Sequence, residues 1–326
     1  MRITRFLGTA VALLAVSAEG CSFAARDVPP PADSPQSVAQ ASHIPAHRPR
    51  AEALVYVADF GSNSVTVYRS ERPNPHPIET LTNGVVAPAA VWVDAESTLY
   101  VANDFGSNSP YKDTITEFPP GSTSPLKVLT GTSSPGALAV DAQGTVFVED
   151  QNANVIDVYE NGSTMPTRKI TGVGSAAYAL TVDEAGNLYA VRAEGERCRS
   201  DVVKIPPGAN GGRSRGFKVP GCAYGIALDA AGNLYLAYFG DNNISAVNVY
   251  QPGARVPFRR ILQGVNAPFR LAFDRDGSLY VPNDNSTSVT VYPKGSDRPS
   301  ITISSRIQNP FGVAISPAAP LPPSRE

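Results

Sequence analysis

Two kinds of short segment alternate along this chain and carry the side chains best suited to bind a ligand. One kind pairs amides with carboxylates, and the other places an aromatic ring just ahead of a small residue. Arg270 is a large cation where the equivalent positions have Ala or Gly. Arginine can hold a carboxylate bidentately while rings cover an apolar surface. We therefore predict a ligand-binding site formed by Asn103, Asp104, Tyr178, Tyr224, Arg270, Asn283, Asp284 and Phe311.

The same sequence lacks the signatures of several enzyme classes. It has no Gly-rich phosphate loop, nucleophile elbow or Cys-x-x-Cys pair. Its three histidines, His43, His47 and His76, lie in proline-containing segments away from the predicted site. A net charge of −2, with no run of Lys and Arg in the part expected to fold, gives no nucleic-acid footprint. We predict no catalytic residue, no metal ligand, no cofactor and no nucleic-acid partner.

A repeated unit must position these side chains. The pattern Asp-x-x-x-x-[Leu/Val]-[Tyr/Phe] recurs at steps of 42 to 47 residues, beginning at Asp94, Asp141, Asp183, Asp229 and Asp274. Short β-branched and aromatic runs flank each copy, and a Gly turn leads into a last strand. A period of this length with four short strands per unit is typical of propeller blades. Because every unit has the aspartate, we predict that it caps a turn by accepting backbone N–H groups.

The two ends of the repeat region complement one another. The chain enters it at Val55–Asp59, which matches a second strand, and leaves it at Asn309–Ile315, which matches a first strand. Joining them completes a sixth blade and removes the free strand edges of an open stack. We predict an all-β fold over residues 53–316: a six-bladed β-propeller of four-stranded antiparallel blades, with the N- and C-terminal strands sharing one blade.

The N-terminal residues have the character of an export signal. Arg2 and Arg5 precede an apolar run that is too short to span a bilayer. The following Ala-Glu-Gly-Cys resembles a bacterial lipobox, which implies a signal peptide over residues 1–20 and lipidation of Cys21. Ordinary cleavage at a nearby small-residue site is the alternative. The lipobox predicts a membrane-anchored lipoprotein of the bacterial cell envelope, at the periplasm or cell surface, held to the membrane through its lipid alone.

Two segments outside the repeats are predicted to be disordered. Residues 21–52 are rich in Pro, Ala and Ser and have no apolar period, so they form a tether. Residues 317–326 have the same character and are predicted to be a frayed tail.

In the propeller, Cys198 and Cys222 fall on adjacent blades at loops of the same face. We predict a disulfide between them in an oxidising compartment; two unrelated thiols are the alternative.

The blade pattern resembles a known family. Tyr224–Asp229 with Gly232–Tyr235, and Phe269–Tyr292, match the P-x-G-[ILV]-A-[LV]-D-x-x-G-N-[LI]-Y-V-A pattern of NHL-repeat propellers, and more loosely the SMP-30/lactonase-like ones. The resemblance covers roughly residues 54–316. It implies a blade type and says little about function, because the matching residues are those that build the blade.

Two functions from different classes remain open. The first is a non-catalytic scaffold that binds an envelope protein, a peptide or a small anionic ligand. The second is a metal-dependent hydrolase, lactonase or lyase similar to the SMP-30 group, with calcium or another divalent cation held by oxygen ligands. Its candidate ligands are Asn103, Asp104, Glu149, Asp150, Asn283 and Asp284. That group has an acid at the start of an inner strand, where this chain has Ala, Gly or Arg, so we prefer the scaffold.

Overall fold

The structure is a computed structural model that describes residues 53–70, 73–104, 110–173, 177–194, 199–211, 216–219, 221–239 and 244–324. The strands of the first three blades are β1 (Leu54–Asp59), β2 (Ser64–Arg69), β3 (Glu79–Leu81), β4 (Pro88–Val93), β5 (Leu99–Asn103), β6 (Thr114–Phe118), β7 (Lys127–Leu129), β8 (Pro135–Val140), β9 (Val146–Asp150), β10 (Val155–Tyr159) and β11 (Arg168–Ile170). The remaining strands are β12 (Ala177–Val182), β13 (Leu188–Glu194), β14 (Arg199–Ile205), β15 (Phe217–Val219), β16 (Cys222–Leu228), β17 (Leu234–Phe239), β18 (Ser245–Tyr250), β19 (Arg259–Ile261), β20 (Ala272–Phe273), β21 (Leu279–Asn283), β22 (Ser288–Tyr292), β23 (Ile301–Ile303) and β24 (Pro310–Ser316). A 3-10 helix, Asp284–Ser286, follows β21.

These strands form six sheets of four antiparallel strands each, which confirms the predicted six-bladed β-propeller. Blade 1 has the order β24-β1-β2-β3, and blades 2 to 6 each use four consecutive strands, beginning at β4, β8, β12, β16 and β20. The first strands surround a central channel and the fourth strands form the rim. Within the described ranges, no helix is long and apolar enough to cross a membrane.

The ring closes through blade 1, as the complementary chain ends predict. Strand β24 pairs with β1, and Val57 lies opposite Val313 in their antiparallel register. The two chain ends therefore supply one another's ladder hydrogen bonds. In the closed ring the first-strand edges face the channel and the outward edges are the short fourth strands, which limits pairing with other chains.

The hydrophobic core is divided into six clusters among the described residues, and each cluster joins two neighbouring blades. Tyrosines at the end of third strands strengthen these interfaces. Tyr68 is fully buried and donates to the Ser305 carbonyl at 2.7 Å, and Tyr292 donates to the Gln263 carbonyl at 2.7 Å. Burial raises the pKa of Tyr68 to about 12. Each ring contributes roughly 1.5–3 kcal/mol by burial alone, so the blades hold one another in place.

The turns between first and second strands lie on one face of the ring, which we call the turn face. The repeated aspartates occupy these turns and accept backbone N–H groups, as predicted. Asp183 is fully buried and accepts from the amides of Ala185 and Asn187 at 3.1 and 2.9 Å, and from the Tyr189 hydroxyl at 3.1 Å. The carboxylates of these turns are therefore committed to the backbone.

The C-terminal tail differs from the frayed segment predicted for it. After β24 the chain crosses the turn face of the channel from blade 1 towards blade 4. Arg275 donates to the Ala318 carbonyl at 2.9 Å, and the Glu184 amide donates to the Pro322 carbonyl at 2.8 Å. Leu321 packs against the core cluster between blades 3 and 4. The sequence pattern misses this because the tail has no apolar period of its own and is ordered by contacts with several blades.

Candidate functional site

The opposite end of the channel, which we call the mouth, is shaped by one repeated irregularity. Near the mouth end of the first strand, the pairing with the second strand shifts register in blades 1 to 5. A bulge of this kind leaves a residue out of the ladder and re-aims its side chain. The bulges contain Phe311 in blade 1, Tyr178 in blade 4 and Tyr224 in blade 5. Phe269 precedes β20 at the corresponding place in blade 6.

These rings converge from four blades into a continuous series, which we call the aromatic row. Ring centroids lie 5.3 Å apart for Tyr178 and Tyr224, 5.2 Å for Tyr224 and Phe269, and 4.6 Å for Phe269 and Phe311. Phe60, from the loop after β1, adds a fifth ring 4.8 Å from Phe311. These distances are those of favourable ring pairs. All five residues are only half-buried, so the row offers an apolar surface to a ligand.

Blades 2 and 3 are different at the mouth, because their bulges contain the small residues Ala89 and Gly136. A side chain at Gly136 would collide with the Glu149 carboxylate and the Gln151 amide. The missing side chain therefore leaves space for these two polar groups. Asp104, which follows β5, is buried and accepts from the Ser134 hydroxyl at 2.8 Å. The aromatic row thus faces a polar side formed by blades 2 and 3.

Arg270 lies between the two sides. Its Nη1 donates to the Ala89 carbonyl of blade 2 at 2.9 Å and to the Phe311 carbonyl of blade 1 at 3.4 Å. Its Nε is buried and has no hydrogen-bond partner among the described residues. Burial lowers the pKa of the guanidinium to about 10, and the carboxylates of Glu149 and Asp104 act in the opposite direction. Arg270 therefore remains a cation at neutral pH, partly compensated by two acids.

Two of the predicted ligand-binding residues, Asn103 and Asn283, are fully buried at the ends of second strands and bond within their own blades. The Asn103 side-chain oxygen accepts from the Val86 amide at 2.9 Å, and that of Asn283 accepts from the Asn266 amide at 2.9 Å. Asp59 and Asp150 do the same in blades 1 and 3. A side chain at this position therefore fastens the loop that enters the same blade, and the amide groups of Asn103 and Asn283 also donate within the blade.

The other predicted residues are distributed around the mouth. Tyr178, Tyr224, Phe311 and Arg270 come together, and Asp104 lies on the polar side. Asp284 accepts from the Asn309 side-chain amide at 2.9 Å. Phe60, Phe269, Gln151 and Ser134 are members that the predicted set lacked. Phe269 aligns with Tyr224 in the repeat, so the sequence contained its signal, whereas Phe60 joins the row only through the closure of blade 1.

Below Arg270 the channel contains a cavity of about 110 Å³. First strands of all six blades line it, and residues 318–322 of the tail close its far end. Trp92, the single tryptophan of the sequence, is part of the lining and is half-buried. Its indole is therefore a natural reporter of events in the channel.

Three predicted residues bear on processing and disulfide formation. Cys21 and Cys198 lie outside the described residues, so the lipidation site and the Cys198–Cys222 pair stay predictions. Cys222 is the first residue of β16 and is buried.

Among the residues that the structure describes, no group of three or more His, Cys, Asp or Glu side chains is arranged to hold a metal ion.

Comparison with known proteins supports the fold and does not identify a function. No protein-family model matches the chain, and no curated protein matches it. Solved structures do match. A chain of the nidogen/laminin complex has a TM-score of 0.61 at 17% identity, covering 81% of this chain and 98% of that one. Hydrazine synthase of Kuenenia stuttgartiensis has a TM-score of 0.57 at 17% identity, covering 72% of each chain.

A third similar structure is a Bacteroides fragilis protein provisionally assigned as a 6-phosphogluconolactonase. Its TM-score is 0.56 at 13% identity, covering 81% of this chain and 98% of that one. The three are different proteins, and identities this low establish a shared β-propeller scaffold only. Function must therefore be argued from the mouth itself.

Proposed function

We propose that this chain is an exported, lipid-anchored β-propeller of the cell envelope that binds a ligand at the mouth of its channel without transforming it. One observation carries the proposal: five half-buried rings from four blades face the polar side of blades 2 and 3, and Arg270 lies between the two. Half-buried rings that converge at a concave opening are characteristic of ligand sites on rigid scaffolds. The NHL-type resemblance of the blades is part of the same proposal and concerns the scaffold alone.

The arrangement of the mouth favours a particular shape of ligand. The aromatic row would cover an apolar or planar part, and the buried Nε of Arg270 would donate to an acceptor at the other end. A carboxylate is the acceptor that a guanidinium binds best. Because Asp104 and Glu149 already compensate Arg270, a ligand with one anionic group fits better than one with several. A peptide C-terminus or a small aromatic or aliphatic acid meets these requirements.

The experiment uses small probes of one shape and different charge. Benzoate, benzyl alcohol and benzylamine would be titrated into the protein while Trp92 fluorescence is recorded, with Trp92→Phe as the blank. We expect benzoate to bind most tightly. Phe269→Ala should weaken all three probes, because the ring row loses its central member. Arg270→Gln should weaken benzoate about tenfold and leave benzyl alcohol unchanged, since a charged hydrogen bond contributes about 1.5–3 kcal/mol.

A control variant on the same face tests whether any substitution there weakens binding by disturbing the structure. Asn152→Ala changes an exposed side chain in the loop after β9, on the same face, and removes no ring, so its affinities should equal those of the wild type. Benzoate binding that is insensitive to both Phe269→Ala and Arg270→Gln would rule out the mouth as the site. Thermal unfolding of each variant verifies that the propeller is intact.

Export and anchoring are tested separately from binding. Mass spectrometry of the mature protein from a bacterial envelope should find an acylated Cys21 at the N-terminus. An unmodified N-terminus further along the chain would mean ordinary secretion. A peptide linking Cys198 to Cys222 in a non-reducing digest is the corresponding expectation for the disulfide.

A metal-dependent hydrolase, lactonase or lyase is the second candidate, favoured by the carboxylates of Asp104 and Glu149 at the mouth. Oxygen ligands suit calcium or another hard divalent cation. Under this alternative, added CaCl₂ should raise the melting temperature, and Asp104→Asn should abolish the shift. The amide groups of Asn103 and Asn283 already bond within the blade, which weakens their claim as ligands.

A further inference from the structure

The rim of blade 5 differs from the other rims in its exposed apolar surface. Among the described residues, blades 1, 2 and 3 each have one large exposed hydrophobic side chain, whereas blade 5 has four. They are Ile244, Val256, Phe258 and Leu262, with exposures of 44, 75, 54 and 52%. Val256 and Phe258 precede β19, while Ile244 and Leu262 lie together at its other end, because β18 and β19 are antiparallel. The apolar side chains therefore lie beyond both ends of the edge strand β19.

Positive charge accompanies this apolar surface. The outer hairpin of blade 5 has Arg255, Arg259 and Arg260 and no acid between Tyr250 and Leu262. Arg255 and Arg260 are exposed, and the Arg260 guanidinium lies 5.3 Å from the centre of the Tyr238 ring. Arg259 is paired with Asp297 of blade 6 at 2.9 Å.

The charge continues onto blade 4. Lys218, at the exposed middle of β15, lines a cleft together with Phe217 and Arg255. The middle residue of the outer strand is basic in blades 3, 4 and 5, and it is Thr80, Val128 and Thr302 in blades 1, 2 and 6. At this middle position, basic residues therefore occur in the three consecutive blades 3, 4 and 5.

We propose that this rim, formed by Lys218, Arg255, Val256, Phe258, Arg260 and Leu262, docks onto the surface of an anionic phospholipid bilayer. Basic side chains are attracted to anionic lipid headgroups, and exposed apolar side chains between them enter the boundary with the acyl chains. The apolar members argue for a bilayer over an acidic polymer, because a polymer offers them nothing in which to be buried. Docking of the rim is independent of ligand binding at the mouth and of any acyl chain on Cys21.

The test measures binding of the full chain to lipid vesicles. Every variant would carry Cys21→Ser, so that no acyl chain is attached and the N-terminal residues contribute equally. Sedimentation with vesicles of phosphatidylcholine and phosphatidylglycerol should find binding that weakens with salt, and vesicles of phosphatidylcholine alone should bind far less. Arg255→Glu should lower the affinity for the anionic vesicles by about tenfold. Phe258→Ser should lower it several-fold.

The repeat provides matched controls for both substitutions. Arg298 is exposed and precedes Pro299 in the outer turn of blade 6, so Arg298→Glu changes the net charge equally at another rim. Leu126 of blade 2 occupies the position of Phe258: each backbone amide donates to the third strand, at 2.8 and 3.0 Å. Arg298→Glu and Leu126→Ser should leave binding unchanged.

Three outcomes would overturn the proposal. Equal losses for Arg255→Glu and Arg298→Glu would mean that only net charge matters. Equal binding to neutral and anionic vesicles would remove the role of the basic residues. Binding to polyglutamate that matches binding to the anionic vesicles and is insensitive to Phe258→Ser would assign the rim to an acidic polymer.

Discussion

The two faces of the ring use the same repeat in opposite ways. On the turn face, Asp94, Asp141, Asp183, Asp229 and Asp274 each accept the backbone N–H group four residues further along. On the mouth, the bulge of the first strand places a side chain that no ladder bond requires, and its identity ranges from Gly136 to Tyr224. The residues that repeat in every blade build the blade, whereas the bulge residues differ between blades and give the mouth its particular surface.

The comparison also explains why carboxylates have different roles at the two faces. A carboxylate on the turn face is surrounded by amides of its own turn, so it has little capacity left. At the mouth, Asp104 and Glu149 lie near a cation, and Glu149 occupies space that a side chain at position 136 would fill. Position in the blade therefore decides whether an acid caps a turn or lies beside Arg270, and residue type alone does not.

The largest expected effect comes from breaking the scaffold that both faces share. Removing residues 309–326 deletes β24, exposes the edge of β1 and takes Val313 and Ile315 out of the core between blades 6 and 1. We expect no cooperative unfolding transition in circular dichroism. Removing residues 317–326 alone keeps β24 and should lower the melting temperature by only a few degrees. If the longer deletion melts like the intact protein, the ring does not depend on blade 1.

An intermediate effect is expected when one aspartate of the turn face is removed. Asp183→Ala leaves two backbone amides and the Tyr189 hydroxyl without their acceptor. The free energy of unfolding should fall by roughly 3 kcal/mol, as for hydrogen bonds to a buried charge. Urea unfolding measures the change. Asp284→Ala at the mouth removes one bond from the Asn309 side chain and should cost under about 1 kcal/mol. Equal losses would contradict the division between the two faces.

The smallest effect on stability is expected at the end of the aromatic row. Tyr178 is half-buried, and its ring contacts only Tyr224 among the ring pairs of the described residues. Tyr178→Ala should therefore lower the free energy of unfolding by about 1 kcal/mol or less. Tyr68→Ala, which removes a fully buried ring between blades, should lower it by about 3–5 kcal/mol. A loss at Tyr178 as large as that at Tyr68 would make the row part of the core.

Much of the candidate site could be predicted from the sequence, because the repeat aligns equivalent positions. Tyr178, Tyr224, Arg270 and Phe311 were recognised in this way and do meet at the mouth. The role of Asn103 could not be read, since its partner amide at Val86 belongs to a loop whose path is set by the bulge. Phe60 was not included either, because it lies in the loop after β1, outside the bulge positions that the repeat aligns, and reaches Phe311 from there.

The sequence by itself determined the blade count, the strand order and the closure of the ring. Those properties follow from local patterns: alternating apolar strands, Asp and Gly turns, and two partial units that complete one another. Only the tertiary structure decided that Arg270 reaches across to the carbonyl of Ala89, that Gly136 makes room for Glu149, and that the tail crosses the channel. Each of these joins residues more than ten positions apart in the chain. The contacts of Arg270 and of the tail depend on how blades pack around a common axis, and that of Gly136 depends on the bulge between β8 and β9.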